Sequence, residues 1–436
     1  MTSRTISNQT ITSQSMVWDW GVGPLWEVAG LAIRPLHLAL AYPSILYVAA
    51  MTVFLFRPPD LFSFYADRIA FGVLVFFVAL RTMALREKIP FVGAITVPML
   101  GLVTLAVMRA LREPFDAQLW SIVASKFIVP FALFHIAVLV FRGPSQRRHF
   151  AIFAAVVLAY LIFVSIAFLA DARSLIFPRF ILDESMGFHP DRARGPFLQA
   201  VANGVSLNLL GILVLVLAQK GKKLVWLLWL ALPVAILATM TRAVWIAFAL
   251  SALVLGFRLI RRRLVAAVTL IVAAGLLGGV ALGVNDHALK DALSDRTNER
   301  GPVEARMAVY TAGWAMFEER PFTGWPAGRM YAELGRRMEG YHLRIFYVHN
   351  TYLALLVEFG LPGLALYGIL FFNLFRLARR SSPKEAAMIR ALRKVWPILL
   401  CVYLVNAFFV DVTYQFVIGL LFTVAGMLCA TEEVVA

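Results

Sequence analysis

Apolar runs of about twenty residues recur along this chain, and each is about long enough to cross a bilayer as a helix. Inside lipid a backbone must satisfy its own hydrogen bonds, so runs of this kind fold as helices packed side by side. The alternating polar and apolar segments of an outer-membrane barrel are absent. Composition agrees: of 436 residues 61% are hydrophobic and 15% charged, too little charge to cover a soluble surface of that size. The expectation is an all-α polytopic membrane protein with about twelve transmembrane helices. Their approximate limits are 36–56, 69–86, 89–109, 119–141, 150–170, 198–218, 224–240, 243–259, 264–285, 349–375, 395–409 and 414–430. Residues 1–35 precede the first span. They hold Trp18, Trp20 and Trp26, which read as an interfacial lead-in. Their start carries no pattern of a removable signal peptide. The two cysteines, Cys401 and Cys429, both sit in apolar runs, so neither a disulfide framework nor a thiolate metal site is indicated.

Lys and Arg set the direction of the spans. The connections at 86–88, 142–148, 220–223, 258–263 and 376–394 are all basic, and one threading puts every one of them on the cytoplasmic side. Both ends of the chain, including the tail 431–436, then face the cytoplasm. The formal charge of +16 is spent on orientation and on contact with anionic membrane lipids. With no soluble basic domain, no nucleic-acid partner is expected.

The same threading organises the chain into N-terminal helices (36–170), an outer segment (171–197), central helices (198–285), a long outer segment (286–348) and C-terminal helices (349–430). Residues 286–348 carry nine Lys/Arg and nine Asp/Glu. A loop that long in a compact protein usually has work to do. Within it, Val309, Ala312, Met316 and Phe317 recur at helical spacing before Pro321 and Gly324, predicting a helix over about 303–319 on the outer membrane face.

Polar residues gather at the outer edge. Arg192 and Arg194 flank the turn signal Gly195–Pro196. Arg242 stands between two apolar runs with almost no loop, Arg306 is in the loop helix, and His349–Asn350 heads an apolar run. Singly, each has a plain reading: a solvated loop charge, a snorkelling arginine, a surface charge paired with Glu299 or Glu304, a helix cap. Taken together, several guanidinium groups, whose forks match phosphate oxygens, face the same side as one imidazole able to accept a proton near neutral pH. That set suits transfer from a diphosphate leaving group to a hydroxyl acceptor. No HExxH, GxSxG or Walker loop occurs, and no DxD metal motif, so metal independence and no cofactor are expected.

RARGPF (192–197), TRAVWIA (241–247), Arg306, Tyr310 and Trp314 at four-residue spacing, RPFTGW (320–325) and HNTYLALLVEFGLPGLALY (349–367) occur in this order. Together they resemble the O-antigen ligase and polymerase family. The resemblance covers about 190–370. It implies a bacterial inner-membrane glycosyltransferase of the C-type, helical with a large periplasmic loop and a periplasmic active site. It implies His349 as general base and Arg242, Arg306 and Arg192 as holders of the donor diphosphate. Asn350, Arg194 and Tyr310 are candidates for orienting or contacting the acceptor. The implied donor is an undecaprenyl-diphosphate-linked glycan, and the acceptor is a lipid A-core or a second lipid-linked glycan. A chain-length regulator and a flippase would be its protein partners. LQAVANG follows GPF where many members carry His-Pro or Asn-Pro, and Ala243 replaces a common Gly. The first departure, with the modest loop, leans the reading towards a polymerase. The alternative from another class is a polysaccharide flippase or other transporter, for which Arg81 and Lys126 inside apolar runs speak. A third is a non-catalytic scaffold of a secretion system, which would tolerate loss of His349.

Overall fold

In the computed structural model, residues 40–56, 66–89, 91–217, 222–259, 301–326, 329–338, 348–379, 385–410 and 414–430 are described. The expected run 264–285, the segments 1–35 and 431–436, and the first part of 286–348 lie outside the described residues. Among those described there are helices, turns and loops and no strand.

In chain order the helices are α1 (Pro43–Leu55), α2 (Ala66–Ala84), α3 (Gly93–Ala110), α4 (Ala117–Val140), α5 (Pro144–Leu169), α6 (Ala200–Leu217), α7 (Lys222–Leu237), α8 (Arg242–Leu259), α9 (Gly301–Glu319), α10 (Met330–Arg336), α11 (Thr351–Arg376), α12 (Ala387–Ala407) and α13 (Gln415–Cys429). Among the described residues, five stretches are long and apolar enough to cross a membrane: α3, α4, α5, α6, and α11 extended to Arg379. Shorter apolar helices fall within α1, α7, α8 and α13. The described residues are thus all-helical and consistent with a polytopic membrane protein, and each expected run other than 264–285 overlaps a helix. The loop helix expected over 303–319 is α9.

α6 lies at the centre. Apart from Asn203, Ser206 and Asn208 it is apolar, which suits burial on every side, and α5, α7, α8 and α12 pack against it. Small residues let neighbours close in: a Cβ at Gly204 would meet Val244 of α8 at 2.5 Å, and one at Gly211 would meet Leu232 of α7 at 2.5 Å. α13 packs on α4, and α11 on α3.

Two of the basic connections meet at one carboxylate. Glu87 pairs with Arg142 at 3.0 Å and with Arg81 at 3.5 Å, and Arg81 also donates to the carbonyl of Leu40 at 2.9 Å. Arg393 donates to the carbonyls of Leu377 and Leu428 and to Glu385, joining the ends of α11, α12 and α13. Arg81 is therefore a helix-end residue with a carboxylate partner.

Lys126, which has no evident partner in the sequence, forms a buried ion pair with Glu358 of α11 at 3.1 Å; the two residues are 7% and 8% exposed. It sits in a π-helical stretch of α4, Ala124–Ile128. The wider turn of such a stretch re-aims side chains along a helix, and π-bulges are frequent where a helix carries a special side chain. The two residues on which a transporter reading leaned are thus both ion-paired.

The run expected as one span over 349–375 is broken. Gly360 has φ +65, outside helical geometry, dividing α11 into a first piece, Thr351–Phe359, and a longer piece after it. Pro362 falls in the first turn of the second piece, where a missing N–H costs nothing. Leu361 N–H donates to Pro321 O at 2.7 Å, and Val357 O accepts from Trp325 N–H at 2.8 Å, so the loop at 320–325 satisfies groups that the break leaves open. A Cβ at Gly360 would lie 2.5 Å from Pro321 O. Gly360→Ala should therefore destabilise the protein by at least about 1–3 kcal/mol, from backbone strain alone. Thermal unfolding in detergent would read this as a lowered midpoint; an unchanged midpoint would mean the break tolerates a side chain.

Candidate functional site

The RARGPF turn is built around Arg194. This residue is 1% exposed, and its guanidinium donates to the backbone carbonyls of Ile181, at 3.1 Å, and of Asp183 and Met186. It clasps the segment 171–197 onto itself, and burial lowers its pKa against the opposing pull of Asp183. Gly195 turns the chain with φ +55, and a Cβ there would meet the Asn203 side chain at 2.9 Å. Asn203 donates to Ala193 O at 2.8 Å and to Ser165 at 3.0 Å, tying the turn to α6 and α5. Ala193 N–H in turn donates to Ala238 O at 3.0 Å, in the bend that leads to Arg242.

Arg242 is the first residue of α8 and is exposed. Met240 before it takes φ +46, and the Thr241 hydroxyl closes the bend on Thr239 O at 2.8 Å. A guanidinium at a helix N-terminus adds its charge to the positive end of the helix dipole, a natural place for an anion. Arg192, in the neighbouring turn, has its Nε 3.7 Å from Asp191. The two motifs are therefore adjacent, joined through Ala193 and Ala238.

A second group forms where α9 meets α11. Asn350 is the N-cap of α11: its side-chain oxygen accepts from the N–H groups of Tyr352 at 2.9 Å and Leu353 at 3.1 Å. Thr351 donates to Val410 O at 3.0 Å, fixing this helix start against the end of α12. His349 stands one residue outside the cap and is exposed. Its carbonyl accepts from the phenol of Tyr310 at 3.0 Å, so α9 holds the backbone that carries the imidazole. Burial raises the pKa of Tyr310, partly offset by the charge of Arg306 and a hydrogen bond with Asn350, which keeps the phenol a donor at neutral pH. Arg306 lies one turn earlier on α9 and is exposed. Beside this group opens a groove of about 510 Å³, lined among others by Tyr310, Trp314, Asn350, Leu353 and Phe408.

Below it, the motifs RPFTGW and EFGLPG dock on each other. Gly324, with φ +57, passes so close to the broken helix that a Cβ would meet Glu358 O at 2.6 Å. Trp325 donates to Met316 O at 2.8 Å and has Arg320 and Arg337 over its ring, at 4.3 and 4.8 Å from the centroid. Arg109 of α3 donates to Trp325 O at 2.8 Å and lies 5.3 Å from the Phe359 ring. These residues, with Lys126 and Glu358, brace the first piece of α11.

Of the residues singled out in the sequence, Arg192, Arg194 and Arg242 thus fall in one neighbourhood, and Arg306, Tyr310, His349 and Asn350 in another. Sequence reasoning missed Glu358 and Arg109. The signal for the first was a lone acid in one apolar run matching a lone base in another. Among the described residues no group of three or more His, Cys, Asp or Glu side chains could hold a metal ion.

No individual curated protein matches the chain. Residues 224–368, from α7 into the second piece of α11, match the family model described as O-antigen ligase. Arg242, Arg306, Tyr310, His349, Asn350 and the docked pair of motifs all lie inside that segment, which is similar to the O-antigen ligase family in agreement with the resemblance read from the sequence motifs.

Proposed function

We propose that the protein is a glycosyltransferase of the bacterial inner membrane. It would move a glycan from an undecaprenyl-diphosphate donor to a hydroxyl of a second glycan, with inversion and without a metal. The observation that carries this reading is the mounting of His349. Its backbone is held by Tyr310 and by the Asn350 cap while its side chain is exposed, with Arg306 one turn away on the helix that holds it. In this reading the imidazole takes the acceptor's hydroxyl proton as the oxygen bonds to the anomeric carbon. The bond from that carbon to the diphosphate breaks, and its electron pair leaves with the phosphate oxygen. Arg306, Arg242 and Arg192 stabilise the charge gathering there. Arg194 serves the site by shaping the turn that carries Arg192.

The depth suits a lipid-borne diphosphate. Gly360 is sixteen residues from Arg376, so with the basic ends inside it lies roughly 24 Å above them. In a hydrocarbon core of about 30 Å that is the outer leaflet, with His349 above it on the periplasmic side. The acceptor is a lipid A-core or another lipid-linked glycan; a chain-length regulator and a flippase would work beside the enzyme.

The test is reconstitution with a lipid-diphosphate glycan and an acceptor in the presence of a chelator. Product should form. Arg306→Lys and Arg242→Lys should each lower turnover about 10-fold or more, because an ammonium cannot reproduce a two-pronged contact with phosphate. A strict need for a divalent cation, or full activity in both variants, would overturn the arginine-held diphosphate.

A further inference from the structure

We propose that the groove beside His349 is the seat of the acceptor's sugar ring, with the indole of Trp314 as its stacking platform. The proposal rests on the catalytic reading of His349 and Arg306 above and adds the position of the second substrate.

Arg306, Tyr310, Trp314 and Glu318 follow each other at four-residue spacing on α9. They therefore share one face of the helix, with a rise of about 6 Å between successive members. Each step is comparable to the length of one sugar ring. Tyr310 is the member that touches His349. Arg306 lies on one side of that level and Trp314 on the other. Displacement with inversion needs the incoming oxygen opposite the departing group. If the diphosphate is drawn towards Arg306, the acceptor approaches from the side of Trp314.

The groove has the form such a ring requires. Trp314 is 50% exposed, and its indole N–H donates to Glu318 at 2.7 Å, which fixes the ring while leaving much of its surface open. Phe408 adds a second exposed aromatic surface, and Tyr352 and Leu353 line the same space. The C–H faces of a pyranose pack on such rings, while its hydroxyl edge meets polar atoms. Thr311 and Asn350 line the groove and Glu318 stands next to it, giving hydroxyl, amide and carboxylate partners. Aromatic walls with a few placed polar groups are the usual composition of a small-molecule site.

Two readouts test this on the full-length protein in lipid nanodiscs. In the first, the tryptophans are replaced by 5-fluorotryptophan and the Trp314 fluorine signal is assigned by its loss in Trp314→Phe. The probes are lipid-free glycan, released by mild acid from the surface polysaccharide of the producing cells, and farnesyl diphosphate, which carries a prenyl tail and a diphosphate but no sugar. The glycan should move the Trp314 signal and farnesyl diphosphate should not. A shift with farnesyl diphosphate alone would make the groove a lipid-tail site, and no shift with either would remove the platform; both overturn the proposal. In the second, Trp314→Ala should raise KM for the acceptor about tenfold and leave KM for the donor within about twofold, with Trp314→Tyr restoring most of the loss. A rise in donor KM instead would place the donor there. The fluorine readout is independent of turnover. A glycan-induced shift in a protein whose His349→Ala variant stays active would keep the sugar seat and discard the catalytic assignment.

Discussion

His349→Ala should abolish turnover while the protein still folds. His349 is exposed and lies outside the α11 cap, so its side chain contributes little to packing. The cap itself belongs to Asn350, and the Tyr310 contact is to the backbone carbonyl of His349, which alanine retains. Stability and expression should therefore stay close to those of the wild type. Loss of a positioned general base typically costs 10²–10⁴-fold in rate, so product formation should fall by about that factor in a reconstituted assay. Binding of the lipid-diphosphate donor should persist, because the arginines remain. A variant that turns over at the wild-type rate would end the assignment of His349 as base and reopen the scaffold reading.

The second large effect concerns stability. Lys126→Ala leaves Glu358 in a buried site without its ammonium partner, and breaking a buried pair from one side costs about 3–5 kcal/mol. Glu358→Ala should be as damaging by the same argument. Replacing both, as Lys126→Met with Glu358→Leu, removes the uncompensated charge and should recover most of the loss. Thermal midpoints of the two single variants and the double variant, measured in detergent, give the coupling directly. Additive losses would mean that the two side chains do not act as a pair. Activity should follow the single variants down, because Glu358 lies near the end of the first piece of α11, whose start is preceded by His349 and Asn350. If the pair also aligns that piece, the double variant will recover stability further than turnover.

Most of the helical architecture was legible in the sequence. Apolar run length and basic connections are local properties, and each expected run among the described residues overlaps a helix, although the starts at Pro43, Pro144 and Ala387 differ from those expected by six to eight residues. The same holds for α9, whose apolar spacing and whose stops at Pro321 and Gly324 mark its extent. The cap at Asn350 was legible too, since a short polar side chain before an apolar run has few other local uses. The break at Gly360 was only half legible. EFGLPG announces a turn, but Thr351–Arg376 is apolar enough to pass for one continuous span. The bend persists because residues 320–325 reach it from another part of the chain and satisfy its open N–H and C=O groups.

By itself, the sequence determined that the described chain is helical and made for a membrane, which stretches form its helices, and which residues bear charge at their ends. These follow from burial and backbone hydrogen bonding, which act over neighbours in the chain. Only the tertiary structure decided what those residues do. It sent Arg194 inward to bind carbonyls while Arg242, of the same chemistry, was left exposed. It joined Lys126 to Glu358 across 232 residues, and the Arg192 turn to the Arg242 bend through one backbone hydrogen bond. Pairings of that range depend on which helices pack together, and packing sums many weak contacts that no short stretch of sequence contains.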